Sequence, residues 1–296
     1  MSATVDDVVD PSRRSRVTRI AGTLRRYPLL TVGTCIAFII VAMGILAPWI
    51  TPYPEDAGSA TDPVASLLPP SSQHWFGTDQ VGRDIYTRVV YGARLSLGTT
   101  IFVLVVAAVV GLSIGLVAGF FGGWLDALLM RITDVFLAFP ALLLAVALSA
   151  VLSPSGWHAA IAIAVTWWPW YARLSRGQAA SIRRLGYSDA ARVLGASRLR
   201  QIARHVLPNA STPVFVQMSL DASGIILTAA TLSYLGLGAQ DPTPEWGLMV
   251  SQGQSLATTA WWVVTFPGLA ILLTAVAFNF IGDGLQTAFD PKRGQR

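Results

Sequence analysis

Residues 29–50 read LLTVGTCIAFIIVAMGILAPWI, without one charged side chain. A run of this length crosses roughly 30 Å of hydrocarbon as a helix. A helix satisfies its own backbone hydrogen bonds in lipid, which an open strand cannot do. The basic stretch RRSRVTRIAGTLRRYP precedes the run, as in a secretory signal. The apolar stretch is longer than a typical signal core, however, and APWITPYP follows it with no small-x-small cleavage pattern. The run reads as a retained first span.

Outward from it, further apolar segments fall at Leu95–Phe121, Thr133–Leu152, Trp157–Tyr171, Pro213–Leu235 and Trp261–Ile281. The chain is 53% hydrophobic and only 12% charged, which excludes an ordinary soluble domain. The segments lack the strict polar alternation of barrel strands. The fold class is therefore an all-α, polytopic membrane helix bundle with six transmembrane helices. Its expected parts are a basic tail at 1–28, the first span and an outer amphipathic segment at 29–94, a five-span core at 95–285 with a cytoplasmic loop at 173–208, and a second tail at 286–296.

An even number of spans puts both termini on one side, and the arginines say which. Arg13, Arg14, Arg16, Arg19, Arg25 and Arg26 precede the first span, and a second basic group, from Arg173 to Arg204, lies between the fourth and fifth. Arg131, Lys292, Arg293 and Arg296 join them, leaving Arg83, Arg88 and Arg94 outside. Both termini and the 173–208 loop are expected in the cytoplasm. Trp49, Trp75, Trp157, Trp261 and Trp262 would anchor the outer interface and Trp124 the inner one. The net charge of +5 thus reports topology, and no soluble basic domain is present to bind nucleic acid. Cys35 is the single cysteine, which forbids an intrachain disulfide, and His74, His158 and His205 match no metal spacing.

Three groups of residues carry the functional reading. Asp79 and Arg83, then Asp84 and Arg88, stand four apart, with Val81, Ile85 and Val89 at the same spacing. This pattern predicts an amphipathic helix on the outer surface, either a solvated connector or a docking face. Asp221 falls inside the fifth apolar segment, where a carboxylate costs about 2.5–3.5 kcal/mol in lipid. It is expected to line a wet path or to pair with a neighbour. Asp134 is expected to pair with Arg131 three residues before it, and Pro140, Pro169 and Pro267 to kink their helices.

The third group is YSDAARVLGASRLRQIARHVLPN, residues 187–209. Ser188 can cap a short helix, Asp189 suits its N-terminal dipole and Gly195 can end it. A second helix, with Leu199, Ile202 and Val206 on one face, would run to Pro208. A simple tether needs only a few residues. This loop therefore reads as a short cytoplasmic helix built for another protein to grip.

In these residues the chain resembles the permeases of binding-protein-dependent ABC importers. Asp189, Ala190 and Ala191 stand for that family's EAA triplet, Gly195 for its glycine, with Ala196 beside it, and Leu207-Pro208 for its ending. Asp189 is one methylene shorter than the usual glutamate, and His205 occupies a usually apolar site. The blocks FGTDQVGRDIYTRVVYGARLSLG, LSYLGLGAQDPTPEWG and FPGLAILLTAVAFNFIGDGLQTAFDP are similar to the C-type subunit of the dipeptide, oligopeptide and nickel branch, from about Trp75 to Pro291. The acidic residue that commonly precedes the LSxLGLG block is replaced here by Ala and Thr.

That resemblance implies a type I ABC importer permease fold in the bacterial cytoplasmic membrane, surrounded by lipid. It also implies a second related permease subunit, two ABC ATPase subunits that bind the ATP and Mg, and an extracytoplasmic substrate-binding protein. The chain itself has no G-x-x-x-x-G-K-[ST] loop, since its only lysine, Lys292, follows Pro291. No catalytic residue, metal or cofactor is expected. Peptides are a better fit than nickel because no His or carboxylate cluster lines the spans. A secondary transporter would show internal repeats or several intramembrane charges. A thiol reagent that cannot cross the membrane is predicted to leave a cysteine introduced at position 187 unlabelled in intact cells, in a chain carrying Cys35→Ser, and to label it in inverted vesicles. Labelling from outside would overturn the topology.

Overall fold

The computed structural model describes residues 27–184 and 197–289. Helix α1 is Pro28–Ile50, α2 Ile85–Phe121, α3 Gly123–Leu137, α4 Ala141–Val151 and α5 Gly156–Arg183. After a short helix at Arg198–Gln201 and a π-helical turn at Ile202–Val206 come α6, Leu207–Tyr234, α7, Trp246–Gly253, and α8, Trp262–Phe289. The all-α class is observed: the described residues form no strand, only an isolated bridge between Thr78 and Asp84.

The six expected spans need two revisions. Among the described residues, four helices are long and apolar enough to cross a membrane: α1, α2, α8 and the continuous Arg198–Tyr234. The expected third span is broken, with α3 and α4 meeting at 84°. Pro140 sits at the break as the N-cap of α4. It disfavours helical geometry at Phe139 before it and has no N–H to continue the ladder. Helix α5 is long enough, about 42 Å at 1.5 Å per residue, but its second half carries Arg173, Arg176 and Arg183. Residues 173–183, assigned to the loop with arginines and small residues at helical spacing, continue that helix. A further helix that the sequence did not announce, α7, packs against α2, α6 and α8.

The tightest seam joins α2 to α5. Gly111, Gly115 and Gly119 recur every fourth residue on one stripe of α2, and each meets the α5 backbone. A Cβ added at Gly111 would lie 2.5 Å from the Trp168 carbonyl oxygen, and one at Gly119 2.8 Å from Ala179 Cβ. One at Gly115 would collide with the Ala172 carbonyl and Ser175 Oγ. Ser175 also donates across the seam to the Gly111 carbonyl at 3.2 Å. In lipid, helices gain little hydrophobic energy by associating, so close packing of small residues supplies the attraction. Helices α1 and α8 repeat the device: a Cβ added at Gly33 would lie 2.6 Å from the Ala277 carbonyl oxygen, and one at Gly284 would meet Leu30.

Arg94, expected as an outer charge, has a structural task. Pro48 lies within α1 and has no N–H to donate to the Gly44 carbonyl one turn earlier. Arg94 Nε donates to that carbonyl at 2.6 Å and Nη2 to the Ile45 carbonyl at 3.1 Å.

Gly98, on the same helix as the seam, has nothing within 4 Å of an added Cβ. Gly115→Ala is therefore predicted to destabilise the purified protein by about 1–3 kcal/mol through overpacking. Gly98→Ala should be neutral or stabilise by up to about 1 kcal/mol through helix propensity. Thermal unfolding of both variants in detergent checks the contrast.

Candidate functional site

The loop residues Asp189, Ala190, Ala191, Gly195 and Ala196 lie outside the described residues. Their flanks are described. Ser197 caps the short helix, its Oγ accepting from Arg200 N at 3.4 Å. The Leu207 N–H reaches back five residues to the Ile202 carbonyl, as in a π turn. Pro208 accounts for this width, because its ring would press on the carbonyl four residues before it. Leu207-Pro208 therefore does not end one helix and start another; the chain runs helically from Arg198 into α6. Leu199 is 77% exposed while Val206 is buried, so the expected common face of Leu199, Ile202 and Val206 is not formed.

Arginines on the extended α5 hold α3. Arg176 clamps Asp126 with two bonds, 3.0 Å from Nε and 2.6 Å from Nη2. Asp134 pairs with Arg173 at 2.6 Å, not with Arg131 as expected. Spacing along α3 suggested the local partner, but packing of α5 alongside supplied another.

Asp221 lies midway along α6, one turn after Gln217, whose Nε2 donates to its Oδ1 at 2.9 Å. Its Oδ2 is buried without a hydrogen-bond partner, as is the hydroxyl of Tyr171. Tyr171 and Trp167 stand beside this carboxylate. A cavity of about 770 Å³ opens here, lined by Trp167, Trp170, Arg173, Leu174, Gln217 and Asp221. The α5 side of this wall was missed in the sequence. Its signal was the recurrence of Trp167, Trp170 and Leu174 at helical spacing, on the same face as Arg173.

The outer candidates form something other than the expected amphipathic helix. Residues 77–84 turn back on themselves: Gly77 and Gly82 adopt positive φ, 74° and 85°, and Asp79 Oδ1 accepts from both Val81 N and Arg83 N at 2.9 Å. An aspartate that bonds nearby backbone amides competes with a helix. Only at Asp84 does α2 begin, with Asp84 Oδ2 accepting from Thr87 N at 2.8 Å. Asp79 does pair with Arg83, at 2.8 Å across the turn. Asp84 pairs with His74 at 3.0 Å, and Arg88 with Asp79 at 3.7 Å.

All four side chains are buried; Arg88 is 1% exposed and Asp84 0%. Asp79, Arg83, Asp84 and Arg88 are thus the inside of an outer cap, and any docking surface is made by what covers them. Arg83 Nη2 ties the cap to Asp241 at 2.9 Å, and Arg88 Nη1 donates to the Asp56 and Pro242 carbonyls. Burial alone would raise the Asp241 carboxyl, but bonds from Arg83 and Gln252 outweigh it and hold it below the usual carboxylate range. Trp262, expected at the interface, is buried and donates to the Thr78 carbonyl at 3.2 Å, which pins the cap to α8. Trp49, Trp75, Trp124, Trp157 and Trp261 are exposed, as anchors should be.

Below the cap, Glu245 begins α7. Its carboxylate accepts from Gly247 N at 3.0 Å, Leu248 N at 2.8 Å and Ser96 Oγ at 3.3 Å. Burial pushes this carboxyl up, against the pull of those amides. Trp246 Nε1 donates to the Val89 carbonyl at 2.8 Å, locking α7 to α2.

Residues 111–295 match the family described as binding-protein-dependent transport system inner membrane component, and residues 17–70 match the N-terminal TM domain of oligopeptide transport permease C. Among curated relatives, the probable D,D-dipeptide transport system permease protein DdpC of Escherichia coli (strain K12) is 43% identical, covering 97% of this chain and 96% of that protein. The dipeptide transport system permease protein DppC of Alkalihalophilus pseudofirmus is 45% identical, covering 91% and 88%. A solved structure of the MetNI methionine ABC transporter in inward facing conformations aligns with a TM-score of 0.56 at 18% identity, over 68% of this chain and 95% of that one. That likeness concerns the fold alone. The match over residues 111–295 and the near full-length relatives lead to one assignment: the chain belongs to the inner membrane components of binding-protein-dependent ABC transport systems.

Proposed function

We propose that this chain is the C-type permease subunit of an ATP-driven importer that moves short peptides across the bacterial cytoplasmic membrane by alternating access. The reading rests on near full-length similarity to two permeases named for dipeptides, at 43% and 45% identity. A second, related permease completes the path, and an extracytoplasmic binding protein delivers the peptide to the outer cap. Two separate ATPase subunits bind ATP and Mg and supply the energy. This subunit performs no chemistry of its own.

The segment around Asp189, Ala190, Ala191, Gly195 and Ala196 docks in a groove of an ATPase subunit on the cytoplasmic side. Small side chains there let two backbones approach closely, the same physics as the α2–α5 seam. Nucleotide-driven closure of the ATPases then moves the docked segment, and the helical junction through Leu207 and Pro208 passes that motion to α6. Two features support this route. The chain stays helical from Arg198 to Tyr234, so a push at one end is not absorbed by a hinge loop. The extended α5 is fastened to α3 by the two-bond clamp of Arg176 on Asp126, so the α5 flank of the segment is braced. Asp221 on α6 then lines the translocation path.

Gly195→Leu is predicted to leave membrane insertion intact. A bulky side chain at a close contact costs about 1–3 kcal/mol, so uptake of labelled dipeptide by the complete transporter in proteoliposomes should fall by about tenfold or more. ATP hydrolysis should persist, uncoupled. Unchanged uptake would remove the docking role; absence of any ATP-dependent dipeptide uptake by the unmutated complex would remove the peptide reading.

A further inference from the structure

The cavity between α5 and α6 carries opposite charges that do not meet. Asp221 and Arg173 both line it, yet among the described residues no ion pair joins them: Arg173 pairs with Asp134 and Asp221 bonds Gln217. Asp221 has no cationic partner among the described residues: Gln217 bonds it, and Tyr171 and Trp167 stand beside it. Arg173 has five N–H donors, of which Nη2 engages Asp134, and both members of that pair are 52% exposed. Such an exposed pair is worth only about 0–1 kcal/mol and yields readily to a competing carboxylate.

Polar groups elsewhere on this face of α6 are occupied. Gln217, Asp221, Gly224, Thr228 and Thr231 follow one another at steps of three or four residues, forming a stripe that lipid would not accept. The hydroxyls of Thr228 and Thr231 bond the carbonyls of Gly224 and Leu227, both at 2.8 Å. Asp221 is the charged member of the stripe. Trp167 and Trp170 add indole rings to the wall, and indole faces attract ammonium groups. A volume of about 770 Å³ falls within the roughly 300–1,000 Å³ of small-molecule sites.

We infer that this cavity is a transit site for a zwitterionic short peptide, with the free ammonium on Asp221 and the indoles and the free carboxylate on Arg173. A cation alone would answer Asp221 and leave Arg173 on its exposed pair with Asp134; an anion alone would leave Asp221 without a counter-charge. A peptide with both termini free satisfies both poles at once. The inference rests on the importer reading above, and adds to it a second recognition step inside the membrane, separate from the binding protein.

Equilibrium dialysis of radiolabelled dialanine against the purified complex of both permeases and both ATPases, without the binding protein, tests the inference directly. The unmutated complex should bind at millimolar peptide. Asp221→Asn should weaken binding of dialanine by at least about tenfold and leave N-acetyl-dialanine unaffected. Arg173→Gln should weaken dialanine similarly and spare dialanine amide. Equal losses for free and blocked peptides would mean that Asp221 serves the fold through Tyr171 and Gln217. No binding by the unmutated complex, or none lost in either variant, would also overturn the site. ATP-driven uptake of dialanine by the same complex with its binding protein decides the importer reading independently.

Discussion

The approach of α2 to α5 at Gly111, Gly115 and Gly119 sets the frame in which the other parts are placed. Side chains cannot separate these two backbones, so the helices act as one rod. Helix α2, about 55 Å long, exceeds the hydrocarbon thickness and begins in the outer cap at Asp84. Helix α5 overshoots at the opposite end, carrying Arg173 and Arg176 to the level where they hold Asp134 and Asp126. One glycine seam thereby links the cap before α2 to the opposite end of the bundle. Apolarity alone could not do this, because lipid solvates leucine as well as another helix does.

Charge is used in two different ways along this rod. In the outer cap, Asp79, Arg83, Asp84 and Arg88 are taken out of water, and they bond one another, His74, Asp56, the exposed Asp241 and nearby carbonyls. Burying such groups is costly unless they are paired and hydrogen-bonded, and the knot they form holds a loop-rich segment rigid between α1, α2 and α8. Along α6, by contrast, Asp221 lines a cavity with no cation bonded to it.

Much of the bundle was legible in the sequence. The first, second and fourth apolar segments lie within α1, α2 and α5, and the fifth and sixth within α6 and α8 but for one terminal residue each. The third bends at Pro140, where a kink was expected, but by as much as 84°; an apolar run looks the same bent or straight. The amphipathic reading of 79–94 failed because period-four spacing also fits a turn in which Asp79 captures the amides of Val81 and Arg83. Gly77 and Gly82 were the signal against a helix there. The seam glycines were readable as a small-x-x-x-small repeat, but only the partner helix shows that they are buried.

The amino-acid sequence by itself determined that this chain lives in a membrane, which runs are apolar, and which segments are rich in arginine. Those are local properties, since hydropathy and charge are summed over neighbours along the chain. The tertiary structure alone decided who meets whom. Arg83 finds Asp241, 158 residues away, Arg176 finds Asp126, 50 residues away, and Arg173 and Asp221 share a cavity without touching. Such pairings are fixed by how rigid helices pack, and a one-dimensional pattern carries no record of the angle at which two helices cross.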